Sequence, residues 1–199
     1  MGFIKLNRRY FLISSLFAFV AFFLKFLPGI FIFNRFPSFI FIRPPGTTDD
    51  AIFLNRCIRC RACANVCEAG CIKFFTLSDS SELVGTPYLS PRQRSCNLCM
   101  NCTDICPTGA LVPIERDIEV IKTSVLMGEA EVITTNCLSF NGRVCGVCHD
   151  ACPTAAIQLL DHAQPTIQLD LCIGCGRCEE WCPQYPTAIK VRRKDLNYA

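Results

Sequence analysis

The stretch Cys172-Ile-Gly-Cys175-Gly-Arg-Cys178-Glu-Glu-Trp-Cys182-Pro decides the fold of this 199-residue chain. It has three cysteines at intervals of three residues, and a fourth cysteine follows four residues later. Three related repeats precede it, and the third of the four has a long gap after its first cysteine. Repetition of this kind predicts one structural unit per repeat. The four repeats contain all but one of the 17 cysteines: Cys57, Cys60, Cys63, Cys67, Cys96, Cys99, Cys102, Cys106, Cys137, Cys145, Cys148, Cys152, Cys172, Cys175, Cys178 and Cys182.

The spacing within the repeats indicates what the thiolates bind. In a C-x2-C-x2-C-x3-C run, the first three thiolates hold one iron–sulfur cluster and the fourth reaches a neighbouring cluster. We therefore expect four [4Fe–4S] clusters, with all the repeat cysteines as iron ligands. A disulfide framework predicts an even cysteine count with varied spacing, and structural zinc predicts paired C-x2-C units. Cys145-Gly-Val-Cys148-His149 also matches a haem c attachment site, but the third repeat already requires both cysteines.

The repeats can be paired in two ways. Residues 128–193 resemble a bacterial two-cluster ferredoxin, and the first two repeats form a looser copy. In this sequential arrangement, the fourth cysteine of each repeat serves the cluster of its partner repeat. The ligand sets are then Cys57, Cys60, Cys63 and Cys106; Cys67, Cys96, Cys99 and Cys102; Cys137, Cys145, Cys148 and Cys182; and Cys152, Cys172, Cys175 and Cys178. A nested arrangement, which pairs the first repeat with the fourth and the second with the third, stays open.

Short alternating segments flank the last two repeats and predict strands. The fold class is therefore α+β: two tandem bacterial two-[4Fe–4S] ferredoxin-like modules behind an N-terminal transmembrane or signal-anchor helix. We place the modules at 49–115 and 116–199. The predicted strands cover residues 131–135, 156–159, 166–169 and 188–191.

Cys71 is the one cysteine outside the repeats. It stands four residues after Cys67, where the second and third repeats have Ala110 and Ala156. A free cysteine behaves as a small hydrophobic residue, so packing is the favoured interpretation and a substitute ligand is the alternative.

Three arginines, Arg56, Arg59 and Arg61, surround the cysteines of the first repeat. Positive charge beside a cluster favours its reduced state. We predict that these arginines raise the potential of the first cluster, and the alternative is that they are solvated surface residues.

The N-terminal segment predicts export and membrane attachment. Leu6-Asn-Arg8-Arg9-Tyr10-Phe-Leu has the layout of a twin-arginine signal. The uncharged run 10–24 is shorter than the roughly 20 residues that cross a bilayer, but it extends to residue 27 if Lys25 snorkels. No small-residue cleavage site follows, so we expect an uncleaved anchor at 1–27. Residues 28–48 then form an apolar linker that ends at the stiff Arg43-Pro-Pro-Gly sequence.

Charge and missing motifs exclude several functions. Residues 1–48 contain six basic and no acidic side chains, whereas the rest of the chain has 14 basic and 17 acidic ones. A mildly acidic body without a basic stripe argues against nucleic-acid binding. No phosphate loop, nucleophile elbow or nicotinamide fingerprint is present. We expect an electron-transfer subunit of an oxidoreductase complex, without a substrate site of its own.

These features resemble the NapG/MauM family of ferredoxin-type proteins, over most of the chain. The resemblance implies a four-cluster periplasmic subunit with the repeat cysteines as ligands. It also implies a polytopic NapH-like membrane partner that draws on the quinone pool, and a periplasmic cytochrome or reductase as acceptor, or a role in methylamine oxidation. The stretches that carry the likeness are Arg8-Arg9, Arg43-Pro-Pro-Gly46, Cys57-Ile-Arg-Cys60, Gly85-Thr-Pro-Tyr88 and Asn136-Cys137-Leu138 with the long gap to Cys145.

We therefore expect a membrane-anchored protein on the periplasmic face, exported folded and loaded by the twin-arginine route. Two alternatives remain. In one, the chain is a cytoplasmic-facing iron–sulfur subunit of a larger respiratory complex, and its arginines are ordinary topogenic charges. In the other, it is a non-redox assembly factor with structural clusters.

Overall fold

Short helices and two-stranded sheets alternate along residues 41–193, the part of the chain that the computed structural model describes. The predicted anchor at 1–27, the twin arginine and residues 28–40 of the predicted linker lie outside the described residues. Within 41–193, none of the helices has the length and apolar character needed to cross a membrane. The helices are α1 (Asp50–Arg56), α2 (Ala62–Asn65), α3 (Asn101–Asp104), α4 (Ile118–Ser124), α5 (Val147–Asp150) and α6 (Arg177–Glu180).

The strands form three antiparallel pairs. β1 (Ile72–Phe74) pairs with β2 (Pro87–Leu89), and β4 (Ile157–Leu159) pairs with β5 (Pro165–Ile167). β3 (Glu129–Val132) pairs with β6 (Ile189–Arg192). This sheet therefore joins the start and the end of the second half of the chain, the part of the described residues that follows residue 115. The four strands predicted around the last two repeats are present, with bounds shifted by at most three residues. β3 ends early because residues 134–136 turn into a 3-10 helix that leads into Cys137.

The helices begin in two different ways. Aspartate side chains cap the longer helices: Asp49 accepts from the N–H of Ile52 at α1, and Asp117 caps α4. The four-residue helices α2, α3 and α6 have no such cap and instead follow a residue in the left-handed region: Arg61, Met100 and Gly176. Each of these helices carries the third cysteine of its repeat. The cysteine loop, rather than a capping side chain, therefore sets where each short helix begins.

One continuous hydrophobic core runs through the described residues, and cysteine side chains form part of it. Phe53, Met100 and Leu111 are its largest fully buried apolar side chains. Buried cysteines from the second, third and fourth repeats belong to the same apolar cluster. The cysteine sites are therefore built into the core of both halves of the chain.

The segment 42–46, which the sequence predicts as the end of a stiff linker, packs onto the body. Arg43 is 4% exposed; its Nε is 3.1 Å from Asp50 Oδ1, and its Nη1 donates to Thr86 Oγ1 and to the Pro87 carbonyl. Gly46 has a φ of +83°, and a Cβ there would stand 2.5 Å from the Val112 carbonyl oxygen. The charge of Arg43 and the close backbone approach at Gly46 hold this segment against the body. Its proline-rich composition does not predict this packing.

Candidate metal centres

Three cavities are each lined by four cysteines. Each cavity combines the three closely spaced cysteines of one repeat with the fourth cysteine of its neighbour. The sets are Cys57, Cys60, Cys63 and Cys106, called the first quartet; Cys137, Cys145, Cys148 and Cys182, called the third quartet; and Cys152, Cys172, Cys175 and Cys178, called the fourth quartet. These are the groups of the sequential pairing. The nested arrangement requires Cys182 beside the first repeat, whereas the structure places it beside Cys137.

The remaining repeat cysteines also lie close together. They are Cys67, Cys96, Cys99 and Cys102, called the second quartet. Burial raises the pKa of the Cys102 thiol, and the neighbouring thiolates of Cys96 and Cys99, and then those of Cys63 and Cys67, raise it further. The structure therefore brings all sixteen predicted ligands into four groups of four. Cys63 of the first quartet lies close enough to Cys102 of the second to raise its pKa.

Cys71 lies inside the second quartet. It is 1% exposed, and its Sγ is 3.5 Å from Cys67 Sγ. A hydrogen bond from Cys71 to Cys96, together with burial, raises the pKa of Cys71, and the same hydrogen bond lowers the pKa of Cys96. Ala110 and Ala156, at the equivalent positions, are also buried. Cys71 therefore fills a small-residue position and points its thiol at two predicted ligands.

Each quartet contains one sulfur that accepts a backbone hydrogen bond at 3.4 Å. The donors are the N–H groups of Leu111 to Cys106, Leu98 to Cys96, Ala188 to Cys182 and Ala130 to Cys172. A backbone donor stabilises the charged form of the acceptor. The chain thus supports thiolates, the form of cysteine that binds metal.

Left-handed residues flank the second cysteine in three of the repeats. They are Arg59 and Arg61, Leu98 and Met100, and Gly174 and Gly176. Non-glycine residues in this region are strained by about 1–3 kcal/mol each, which marks these loops as functional. Such turns direct successive N–H groups to one concave side. Sequence reasoning missed this feature, although the glycines at 174 and 176 signal it. The stretched third repeat departs from it, since Gly146 has a φ of −137°.

Several of the buried thiols resist ionisation in the absence of a cation. Burial, together with the neighbouring thiolates, raises the pKa of Cys63 and of Cys148 to about 11 each, and that of Cys175 to about 12. A bound positive centre offsets both effects, because a coordinated thiol is deprotonated by its metal. Four converging thiolates of this kind are suited to iron.

The shape of the sites fits a cluster. Within residues 41–193, no three or more His, Cys, Asp or Glu side chains converge on a point where one ion would sit. The cysteines instead line cavities whose empty space, partly open to solvent, is about 380, 340 and 310 Å³. A [4Fe–4S] cluster binds its ligands through different irons, so its thiolates surround a volume rather than a point. The donor set and the cavities therefore fit this cofactor.

The arginines of the first repeat are anchored around the first quartet. Arg59 Nη2 donates to the Glu82 carbonyl at 3.2 Å, and the Arg61 guanidinium lies 5.1 Å from the centre of the Phe74 ring. Both side chains line the first cavity, and Arg56 contacts the Gly109 carbonyl. These contacts hold the three exposed arginine side chains near the first quartet.

The cysteines and the histidine of the haem-like motif lie in different surroundings. Cys145 and Cys148 line the third cavity. His149 is about half exposed on helix α5, and its Nδ1 is 3.0 Å from Asp150 Oδ1.

Comparison with known proteins agrees with this chemistry. Residues 56–110 match the model of a 4Fe-4S dicluster domain, and residues 143–192 match that of the LdpA Fe-S cluster-binding domain. A solved formate dehydrogenase–heterodisulfide reductase–formylmethanofuran dehydrogenase complex from Methanospirillum hungatei aligns at 24% identity, over 71% of this chain and 49% of that chain. Its TM-score of 0.29 is too low to support an argument about the fold.

Two relatives are similar to the chain over most of its length. The ferredoxin-type protein NapG of Escherichia coli is 37% identical over 164 residues, which cover 75% of this chain and 69% of NapG. The methylamine utilization ferredoxin-type protein MauM of Paracoccus denitrificans is 36% identical over 166 residues, which cover 78% of this chain and 72% of MauM. With its ferredoxin-type [4Fe–4S] domains and these relatives, the chain belongs to the NapG/MauM family of ferredoxin-type iron–sulfur electron-transfer proteins.

Proposed function

We propose that this protein holds four [4Fe–4S] clusters and relays single electrons between a quinol-oxidising membrane partner and a periplasmic redox enzyme. The observation that carries the proposal is the grouping of sixteen cysteines into four quartets. A bound [4Fe–4S] cluster supplies one-electron exchange. The chain's own residues supply the ligands and the backbone donors to sulfur.

The ligand assignment follows the quartets. Three of them line cavities of similar size, and the second quartet is drawn together around Cys102. In each quartet one sulfur already accepts a backbone N–H. These donors and the surrounding core tune the potential at which an electron is accepted.

The partners and the location rest on the sequence. The twin arginine and the apolar segment 1–27 support twin-arginine export and a retained anchor on the periplasmic face. The family supports a polytopic NapH-like membrane subunit that oxidises quinol. A periplasmic cytochrome or reductase, or methylamine oxidation, is then the destination of the electrons.

Anaerobic purification followed by iron and sulfide analysis tests the cofactor content. Four clusters predict about sixteen iron and sixteen sulfide per chain, together with electron paramagnetic resonance (EPR) signals that appear reversibly on reduction. A colourless protein, or one richer in zinc or haem than in iron, contradicts the proposal. Clusters that show no reversible reduction indicate an assembly factor instead.

Two experiments test the location. A reporter fused behind residues 1–45 should be exported only when the twin-arginine system is intact and Arg8-Arg9 is present. Protease added to spheroplasts should digest the body of the protein. Protection of the body in spheroplasts, with digestion only after lysis, indicates the cytoplasmic-facing subunit.

A further inference from the structure

We propose that the four cysteine quartets stand in a row in the order first, second, fourth, third, and that the backbone contact between Cys96 and Cys175 is the crossing between the two halves of the chain. This inference rests on the proposed electron relay and deepens it, because it names the path through the protein. The order differs from the order of the repeats along the chain.

The crossing joins the second quartet directly to the fourth. The N–H of Cys96 donates to the carbonyl of Cys175 at 3.0 Å. Both cysteines are buried, at 6% and 8% exposure. Between the described residues of the two halves, this is a direct hydrogen bond from one predicted iron ligand to another.

Neighbouring groups hold the crossing in register. Arg92 donates to the carbonyls of Glu179, in the last turn of the fourth repeat's short helix, and of Cys182 and Gln184, just beyond it, at 2.8–2.9 Å. The Glu180 carboxylate accepts hydrogen bonds from the N–H and the hydroxyl of Ser95. One short segment of the first half, residues 91–96, is therefore fastened along the cysteine loop of the fourth repeat.

Within each half, the two quartets are linked by packed helices. Helix α2, which carries Cys63, packs on α3, which carries Cys102. Asn101 Nδ2 on α3 donates to Glu68 Oε1 at 3.0 Å, next to Cys67. Helices α5 and α6, which carry Cys148 and Cys178, pack in the same way. The first quartet therefore neighbours the second, and the third neighbours the fourth.

Burial of the cysteines distinguishes the first quartet from the other three. It contains no buried cysteine, and Cys60 is exposed. The second, third and fourth quartets each contain two buried and two partly buried cysteines. The first quartet is therefore the more accessible end of the row.

The two ends of the row, set by the contacts between the quartets, are where partners approach. Ile58, beside the first quartet, is 64% exposed, and Val144 and Tyr185, beside the third, are 87% and 93% exposed. One electron received at one end passes inward and leaves at the other end. Within this chain no bond is made or broken and no proton moves; in the proposed function, quinol oxidised at the membrane partner is the reductant and the periplasmic redox enzyme is the oxidant.

EPR of the fully reduced, anaerobically purified protein tests the order through magnetic coupling between neighbouring clusters. Two variants each remove one cluster: Cys178→Ser in the fourth quartet and Cys148→Ser in the third. In the proposed order, Cys178→Ser abolishes the splitting of the third cluster signal and removes one of the two couplings of the second, which then couples only to the first. Cys148→Ser changes only the signal of the fourth cluster. The reverse pattern, in which Cys148→Ser uncouples two clusters and Cys178→Ser only one, overturns the order.

A second pair of variants keeps every cysteine. Gly176→Ala pushes Pro91 away from the crossing, whereas Gly142→Ala, also at positive φ, meets open space. At equal iron content, Gly176→Ala should weaken the coupling of the second and fourth clusters, and Gly142→Ala should leave it unchanged. Unchanged coupling in both variants contradicts the crossing. Failure of the proposed function itself is distinguishable, because it shows as missing iron or missing reversible reduction in the unmodified protein.

Discussion

Pro91 lies so close to Gly176 that a Cβ at residue 176 would stand 2.3 Å from the Pro91 Cβ. Gly176 also has a φ of +84°, which side chains other than glycine rarely adopt. The contact joins the segment before the second repeat to the loop of the fourth repeat. Residue 176 must therefore be glycine, because a side chain there would disturb both the loop conformation and the fit between the two halves.

Gly176→Ala should destabilise the protein much more than Gly142→Ala. Both substitutions place alanine at positive φ, at roughly 1–2 kcal/mol each. Only Gly176→Ala adds a clash with a proline ring, and overpacking of this kind costs about 1–3 kcal/mol more. The measurement is the melting temperature of the anaerobic, iron-loaded variants. Equal shifts in the two variants would mean that Pro91 moves aside freely.

The buried ion pair of Arg43 gives a second prediction. Arg43→Ala removes one of the two arginines that pair with Asp50, the other being Arg193, and removes the donor to Thr86 and Pro87. Breaking a buried pair costs about 3–5 kcal/mol, and we expect roughly 2–4 here because Asp50 is partly exposed and keeps Arg193. The control is Arg116→Ala, whose pair with Asp104 is exposed and should contribute less than about 1 kcal/mol. Denaturation midpoints of the two variants that differ by less than the measurement error would contradict the anchoring role of Arg43.

Much of the site follows from spacing, because the cysteine intervals indicate that the first three thiolates of a repeat act together, whereas the choice between the sequential and nested pairings needed the structure. The first three cysteines of each repeat and the strands near residues 130, 158, 166 and 190 could be predicted from the sequence. The crossing at Cys96 and Cys175 could not be predicted, because a backbone hydrogen bond between distant loops does not depend on which side chains the loops carry. The left-handed turns at Leu98 and Met100 were equally hidden, because these side chains give no sign of that conformation.

The burial of Arg43 illustrates a second limit. A proline-rich stretch between an apolar segment and a cysteine-rich body predicts a linker. The buried guanidinium finds Asp50, two oxygen acceptors and the Phe53 ring, 4.9 Å from its centroid, only when the chain is folded. Contacts with distant residues therefore determine how the segment 42–46 packs, although its local sequence predicts a linker.

Cys71→Ala separates the two interpretations of the seventeenth cysteine. Alanine already occupies the equivalent positions 110 and 156, so the variant should fold and retain all its iron. Loss of the thiol donor to Cys96 removes stabilisation of the electron-rich, reduced site, so the midpoint potential of the second cluster should fall. Redox titration followed by EPR measures this shift. Iron loss of one cluster would instead identify Cys71 as a ligand.

Arg59→Gln tests the effect of charge at the first quartet. The Arg59 side chain lines the first cavity and is held by the Glu82 carbonyl, so its positive charge stays near the bound cofactor. Removing it should lower the midpoint potential of the first cluster and leave the other three unchanged. Because Arg59 is exposed, salt screens its charge, and the shift should be larger at about 0.01 M than at about 1 M ionic strength. Arg192→Gln, which removes an exposed arginine paired with Glu131 in the second half of the chain, is the matched control. If the titrations give the same first potential for the unmodified protein and for Arg59→Gln at low salt, the arginines of the first repeat do not tune the cluster.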